Sequence, residues 1–152
     1  MLRFISETKK RSNISNYMHH TTLLIALFFC HFLGDFTIVG RNAEILKAKT
    51  IGSPTDLIFE HAARHTVLMF ITIVAFFNIF DIQHTTTLLR ICFVGSLQLW
   101  SHFFIDVIKG KLNVWYPVFA DPSKQPHWTA FGIDQLLHAI VIILMVEYVY
   151  NG

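Results

Sequence analysis

The sequence contains four pairs of side chains that could bind a metal ion, and the members of each pair are four residues apart. In chain order the pairs are His31 with Asp35, His61 with His65, His102 with Asp106, and Asp134 with His138. On an α-helix, residues i and i+4 lie one above the other on the same face. Imidazole nitrogens and carboxylate oxygens bind zinc, iron and manganese. We therefore predict a metal centre on helix faces, with all eight side chains as ligands.

Each pair lies in an apolar segment long enough to cross a bilayer, which takes about 20 residues. The predicted spans are approximately residues 21–39, 54–80, 87–108 and 130–150. Of the 152 residues, 53% are hydrophobic and 14% are charged, whereas about 25% of a soluble domain is charged. This composition excludes an ordinary soluble globular protein, and the sequence contains no motif for binding nucleic acid. The expected fold is all-α, an integral membrane four-helix bundle.

The depth of the pairs within the spans favours a single site. In an up-down-up-down bundle, the ends of the odd-numbered spans and the starts of the even-numbered spans lie on the same side. At about 1.5 Å per residue, all four pairs then fall in one layer, roughly 6–15 Å below the membrane surface. An ionisable side chain inside a membrane costs on the order of 2.5–3.5 kcal/mol, which a divalent cation would offset. One or two ions are expected, zinc first, with iron or manganese as alternatives.

A simpler interpretation applies to any single pair. His61 and His65, for example, could form polar contacts between helices without a metal ion. His102 and Asp106 could equally form a hydrogen bond with each other. Four such pairs in register are difficult to explain by helix packing alone, so the complete set favours the metal centre.

The segments between the spans are expected to be mostly irregular. Residues 1–18 are predicted to form a basic tail or a short helix on the membrane surface, and residues 19–152 form the membrane domain. Residues 40–52 are predicted to be a polar loop. The short connection at residues 81–86 predicts that spans two and three are antiparallel neighbours. Residues 111–129 contain three prolines and are predicted to lie at the membrane surface without a regular helix.

Several polar or small residues near the pairs have local roles. Ser53 is predicted to cap the second span, with Pro54 at its first helical position. Gly34 could allow two helices to approach closely. Lys109, one turn after the third pair, could bind an anionic substrate or extend to the lipid headgroups. Gln98 is expected to form hydrogen bonds between helices.

Basic residues in the loops and helix ends on the side of the predicted site would suit an anionic headgroup. They are Arg41, Lys47, Lys49, Arg64, Lys109, Lys111 and Lys124. The same excess would place this side in the cytoplasm, because cytoplasmic segments are enriched in Lys and Arg.

Four short motifs, each present once, follow one another over roughly residues 21–145. They are the run from His31 to Phe36, the paired His61 and His65, the run from His102 to Asp106 with Lys109, and the run from Phe131 to His138. In these motifs the sequence resembles a family of small bacterial and phage membrane proteins catalogued only as a domain of unknown function. More distantly it is similar to membrane-bound metal-dependent hydrolases, which also carry His-x-x-x-Asp at span ends. The closer family has a Gln soon after the Asp-Phe pair, and residues 37–40 lack it here.

The sequence leaves three functions open. The first is a metal-dependent membrane hydrolase acting on a lipid or another amphiphilic substrate, with Asp134 or Asp106 as general base and Lys109 on an anionic headgroup. The second is a metal-ion transporter, although transport sites lie near the bilayer midplane. The third is a non-catalytic membrane module with a structural metal, whose partner and oligomeric state stay open. The expected location is the bacterial inner membrane.

Overall fold

The computed structural model of the protein describes the backbone of residues 2–36, 42–80 and 87–151, and the side chains of residues 17–36, 43–80 and 88–150. Within these ranges the chain is helical and contains no strand, which confirms the predicted all-α class. The elements are α1 (Leu2–Phe36), α2 (Asn42–Ile51), α3 (Thr55–Ile79), α4 (Thr87–Trp115), the 3-10 turn Pro117–Phe119, and α5 (Gln125–Asn151). The predicted connection at residues 81–86 and the segment 37–40, where the Gln is missing, lie outside the described residues.

Four helical segments are long and apolar enough to cross a membrane. They are Tyr17–Phe36, Thr55–Ile79, Leu88–Trp115 and Gln125–Tyr150. These segments correspond to the four predicted spans, which identifies the chain as a membrane protein by length and composition. Helix α1 continues without a break from residue 2 into the first span and is 35 residues long.

The four long helices pack as a closed ring in which neighbours run antiparallel. Helix α1 contacts α3 and α5, and α4 contacts the same two helices from the other side. At one end of the ring, His20 near the start of the first span lies 3.0 Å from Glu147 near the end of α5. At the same end, the rings of Phe93 on α4 and Tyr148 on α5 are 4.6 Å apart. The up-down-up-down bundle is therefore confirmed.

The interior of the bundle has an apolar half and a polar half. The apolar half lies toward the end that holds Glu147. Its buried side chains are Leu23, Leu27, Cys30, Met69, Ile73, Phe76, Phe77, Ile91, Val94, Ile142, Met145, Val146 and Val149. Large apolar side chains also cover the outside of every span, as Phe29, Phe70, Phe104 and Leu144 illustrate. So much exposed apolar surface is unusual for a soluble monomer, but it suits contact with lipid.

The predicted polar loop at residues 40–52 is wrong, because residues Asn42–Ile51 form helix α2. This helix packs on α3 and α4, with Ile45 and Ala48 buried against the first turn of α3. Gly52 ends the helix in a left-handed conformation (φ +64°), and the Ser53 N–H donates to the Ala48 carbonyl at 3.0 Å. A left-handed glycine is the usual helix terminator.

The irregular segment predicted at residues 111–129 is also too long. Helix α4 continues to Trp115 and α5 begins at Gln125, so only residues 116–124 are non-α. Helix α4 continues through Gly110. The missing side chain of Gly110 lets α2 approach, since a Cβ there would lie 2.1 Å from the Gly52 backbone nitrogen. Pro126 is tolerated in the first turn of α5, where a missing N–H leaves no hydrogen bond unmade.

The start of α3 differs from the prediction by one residue. Pro54 takes the N-cap position and the helix begins at Thr55, with no side-chain capping hydrogen bond. Ser53 therefore precedes the cap rather than forming it.

Candidate metal centre

The four antiparallel spans bring their ligand pairs to one level of the bundle interior, below the apolar half. The imidazole rings of His31, His65, His102 and His138 form a cluster in which neighbouring ring centroids are 4.2 to 5.5 Å apart. His61 joins this cluster at 4.5 Å from His65 and 5.1 Å from His102. All five histidines, Asp106 and Asp134 are buried, and the Asp35 side chain is 9% exposed.

One group of potential ligands consists of Asp35, His61, His65 and His102, whose ligand atoms all lie within 4.8 Å of one another. Asp35 Oδ1 is 3.2 Å from His61 Nε2 and 3.5 Å from His65 Nε2. Two ligands bonded at about 2.1 Å to a tetrahedral zinc ion are themselves about 3.4 Å apart. The spacing of this group therefore fits a single transition-metal ion.

A second group consists of His102, Asp106 and His138, also within 4.8 Å of one another. His138 Nδ1 donates to the Asp134 backbone carbonyl at 2.9 Å. Because a carbonyl oxygen can only accept, neutral His138 has its lone pair on Nε2, which is the atom available to a metal. His102 belongs to both groups. Its Nδ1 lies 3.3 Å from the Gln98 side-chain amide, so Nε2 is again the atom that faces the site.

Many polar atoms of this cluster have no hydrogen-bond partner among the described residues. They are both ring nitrogens of His31 and of His65, Nε2 of His102 and of His138, both carboxylate oxygens of Asp106, and Oδ1 of Asp134. Of these, Asp106 Oδ2 is ion-paired with Lys49 at 3.3 Å. Leaving a buried polar group unsatisfied costs about 1–3 kcal/mol, and more for a charged group. A cation bound among them would remove this cost for several groups at once. These buried His and Asp groups could therefore hold a metal ion.

Two of the eight predicted ligands lie beside the two groups rather than in them. The His31 ring lies near three other histidine rings and its Nε2 is 3.5 Å from Asp35 Oδ2, yet His31 belongs to neither group. Asp134 turns its carboxylate toward Lys109, which donates to Oδ2 at 2.8 Å, and toward Gln135 at 3.2 Å. Its other oxygen is 3.9 Å from His138 Nδ1. Within the described residues, Lys109 is therefore ion-paired with Asp134.

Lys49 on α2 was predicted only as one of seven basic residues on the side of the site, but the structure places it among the ligand pairs. Its Nζ lies 3.0 Å from His61 Nε2, 3.2 Å from Asp35 Oδ1 and 3.3 Å from Asp106 Oδ2. Burial alone would lower the pKa of Lys49, but the carboxylates of Asp106 and Asp35 raise it above its ordinary value. The ammonium therefore supplies positive charge at the edge of the first ligand group. An ion that binds His61 through Nε2 has to displace this ammonium from that nitrogen.

The burial of Lys49 could have been predicted from its spacing to Ile45 and Ala48. With a helix at residues 42–51, Lys49 is four residues after Ile45 and shares the buried face of α2. Because residues 40–52 were predicted to be a loop, helical spacing was not applied to Lys49.

Gln98 was predicted to bond between helices, but its described contact is with His102 one turn away on the same helix. It orients a site histidine rather than linking two spans.

A cavity of about 300 Å³ leads to the polar layer from the end that holds α2. Its lining is Asp35, Phe36, Leu46, Lys49, Thr50, Lys109, Asn113, Ala120, His127, Phe131, Asp134 and Gln135. Asp35 is the ligand-group member that borders it directly. The loop over the cavity is held by His127 Nδ1, which donates to the Phe119 carbonyl at 2.7 Å, and by Trp128 Nε1, which donates to the Pro122 carbonyl at 2.9 Å.

The fold and this layer together define an all-α bundle of membrane-crossing length with a buried His/Asp cluster near one end. The model of the family described as "Protein of unknown function (DUF3307)" matches residues 23–151, and the chain belongs to this family. No curated protein and no solved structure matches the chain.

Proposed function

We propose that this protein is a membrane-embedded, metal-dependent hydrolase that acts on a lipid or another amphiphilic substrate. The proposal rests on two overlapping ligand groups and on an additional acid, Asp134. Asp134 lines the cavity that leads to the polar layer but belongs to neither ligand group. A closed structural site would need no cavity and no additional acid. When bound, a divalent ion would lower the pKa of a water molecule and polarise a carbonyl or phosphoryl oxygen.

In this proposal the two candidate acids have different roles. Asp106 lies in the second ligand group, fully buried, with Oδ2 3.5 Å from His102 Nε2, so its place is that of a ligand. Asp134 can accept the proton of the attacking water, since it faces the cavity. Lys109 holds the Asp134 carboxylate in that position and carries a positive charge to which the anionic part of a substrate can bind.

The alternative of a metal-ion transporter is less well supported. Transport sites usually lie near the bilayer midplane with access from both sides. Here the ligand groups are near one end, and the other half of the bundle is filled by the apolar core that includes Leu27, Met69, Ile73 and Ile142. An ion would have to cross this core.

The experiment compares Asp134→Asn with His138→Ala in purified protein. Asp134→Asn keeps the shape of the side chain and removes its basicity, so we expect it to abolish lipid hydrolysis while metal content and melting temperature stay near wild type. His138→Ala removes a ligand and should lower metal content as well as hydrolysis. Glu147→Gln, an acid at the opposite end, is the control and should hydrolyse lipid as wild type does.

The structural-metal alternative predicts a different result. If Asp134→Asn loses metal and stability in step with His138→Ala, and if wild type cleaves none of a panel of glycerophospholipids, sphingolipids and isoprenoid phosphates, the hydrolase proposal is wrong.

A further inference from the structure

The cavity at the metal centre adjoins a second, apolar cavity that opens on the outside of the bundle. This apolar groove measures about 260 Å³. Its lining is Ile105, Ile108, Lys109, Leu112, Asn113, Phe119, Thr129, Ala130, Ile133, Asp134 and Leu137. Three of these residues, Lys109, Asn113 and Asp134, line both cavities. The two spaces therefore meet at the Lys109–Asp134 ion pair.

The groove faces the surroundings of the bundle rather than its core. Ile108 and Ile133 are 57% and 54% exposed, and both lie within segments long enough to cross a membrane. In a bilayer, side chains exposed at this position contact acyl chains. The groove between α4 and α5 is thus open to lipid from the side.

The inner cavity has the opposite character. Lys49 and Lys109 both line it, and each is paired with a carboxylate that lines it too: Lys49 with Asp35, and Lys109 with Asp134. Asn113, Thr50 and Gln135 add further polar groups. Lysine binds phosphate as a point charge, so a phosphate group that enters this cavity can bind the two ammonium groups in place of the carboxylates of Asp35 and Asp134.

We infer that the substrate is a membrane phospholipid with an anionic headgroup, which enters sideways between α4 and α5. Its phosphate lies in the inner cavity near Lys109 and Lys49, and the upper part of one acyl chain lies in the groove on Ile108 and Ile133. This assignment of the substrate class rests on the proposed hydrolase, but the binding itself can be measured without turnover.

Lipid binding is tested by photocrosslinking in nanodiscs. Wild type is reconstituted in phosphatidylcholine containing a small fraction of phosphatidylglycerol with a photoactivatable group on its acyl chain, and the labelled peptides are mapped. The α4 and α5 segments around Leu112 and Ile133 should label more strongly than the segment around Ile143. The same photoactivatable group on phosphatidylcholine should not show this preference.

Two variants with matched controls locate the lipid. Ile133→Trp fills the groove and should remove the preferential labelling, whereas Ile143→Trp, on the outside of the same helix, should not. Lys109→Gln removes a charge-assisted hydrogen bond, so labelling by phosphatidylglycerol should weaken about tenfold or more. Lys111→Gln, a neighbouring lysine outside both cavities, should leave it unchanged.

Equal labelling by the two lipids, or equal effects of Ile133→Trp and Ile143→Trp, would show ordinary contact with bulk lipid and overturn the inference. Competition by free glycerol phosphate as effective as that by the lipid would also overturn it, because the groove would then contribute nothing. Specific labelling without any lipid hydrolysis would support the binding site while contradicting the hydrolase.

Discussion

Gly34 is the residue at which close packing and ligand geometry depend most directly on each other. A Cβ at this position would lie 2.3 Å from Cε1 and 2.6 Å from both ring nitrogens of His65. The absence of a side chain on α1 is therefore what allows the His65 ring to lie beside Asp35. The sequence had indicated a close approach of two helices at Gly34, and in the structure the His65 ring of α3 is the group that lies against it.

Gly34→Ala should displace the His65 ring and cause loss of most of the bound metal. Alanine is favoured over glycine within a helix by roughly 0.5–1 kcal/mol, so a loss cannot be attributed to weaker helix formation. Gly132→Ala on α5 is the control, because a Cβ there meets nothing within 4 Å. Metal content and melting temperature are measured for both. Wild-type metal content in Gly34→Ala would contradict the role of His65 as a ligand.

The pairing of the ligands could be predicted from the sequence, but their individual orientation could not. Spacing of four residues places two side chains on one face, and this was sufficient to bring all eight into one layer. Whether His31 or Asp134 points into a ligand group depends on the rotation of its helix. Successive residues are about 100° apart around a helix. A small rotation of a helix about its axis therefore decides whether a side chain points into a ligand group or lies beside it.

At the scale of elements, α2 closes the site end of the bundle and carries Lys49 into it. Its ten residues include Glu44, Lys47 and Lys49, and a short segment of this composition has no strong apolar period. Helices of this length are marginal in isolation. Helix α2 is stabilised instead by contacts with α3, which follows it directly, and with α4, which is far away in sequence. The sequence of α2 alone therefore indicated a loop.

The contact between α2 and α4 depends on two glycines, Gly52 and Gly110. Gly110→Ala would place a Cβ 2.5 Å from Gly52 Cα and 2.6 Å from the Lys49 carbonyl. Because these are backbone atoms, α2 has to move away, at a cost of about 1–3 kcal/mol. We expect a lower melting temperature and, since α2 carries Lys49, weaker lipid hydrolysis.

The matched control on the same helix is Gly95→Ala, whose Cβ would make an ordinary contact at 3.9 Å with Thr66. It should be as stable as wild type or slightly more stable. Equal stability of the two variants would show that α2 does not depend on this close approach.

At the scale of the whole molecule, the distribution of polar and apolar residues is reversed relative to a soluble protein. The outside of the spans is apolar, and the buried residues include five histidines and two aspartates of one layer. The number of spans and their antiparallel order could be predicted, because both follow from apolar length and loop position. The end of α4 could not, since Gly110 continues the helix and packs against α2, a contact that the local sequence does not contain.

The bundle predicts that α2 and the loop at residues 116–124 lie on one side of the membrane and the end of α3 on the other. Single cysteines at Ser53, Ser123 and Asn78, with Cys30 and Cys92 replaced by serine, test this with a membrane-impermeant reagent in intact cells. Ser53→Cys and Ser123→Cys should label alike, and Asn78→Cys should label from the opposite side. Labelling of Ser53→Cys and Ser123→Cys from opposite sides would separate the ligand pairs and exclude a common layer.

The central claim, a transition-metal centre formed by the four spans, is tested most directly by elemental analysis. Protein purified in detergent without chelator should contain one or two zinc, iron or manganese ions per chain. His102→Ala should lose most of this metal, because His102 belongs to both ligand groups. His20→Ala, whose histidine lies near Glu147 at the other end, should keep it. Wild-type protein with no metal above background, or His102→Ala and His20→Ala with equal metal content, would contradict the account.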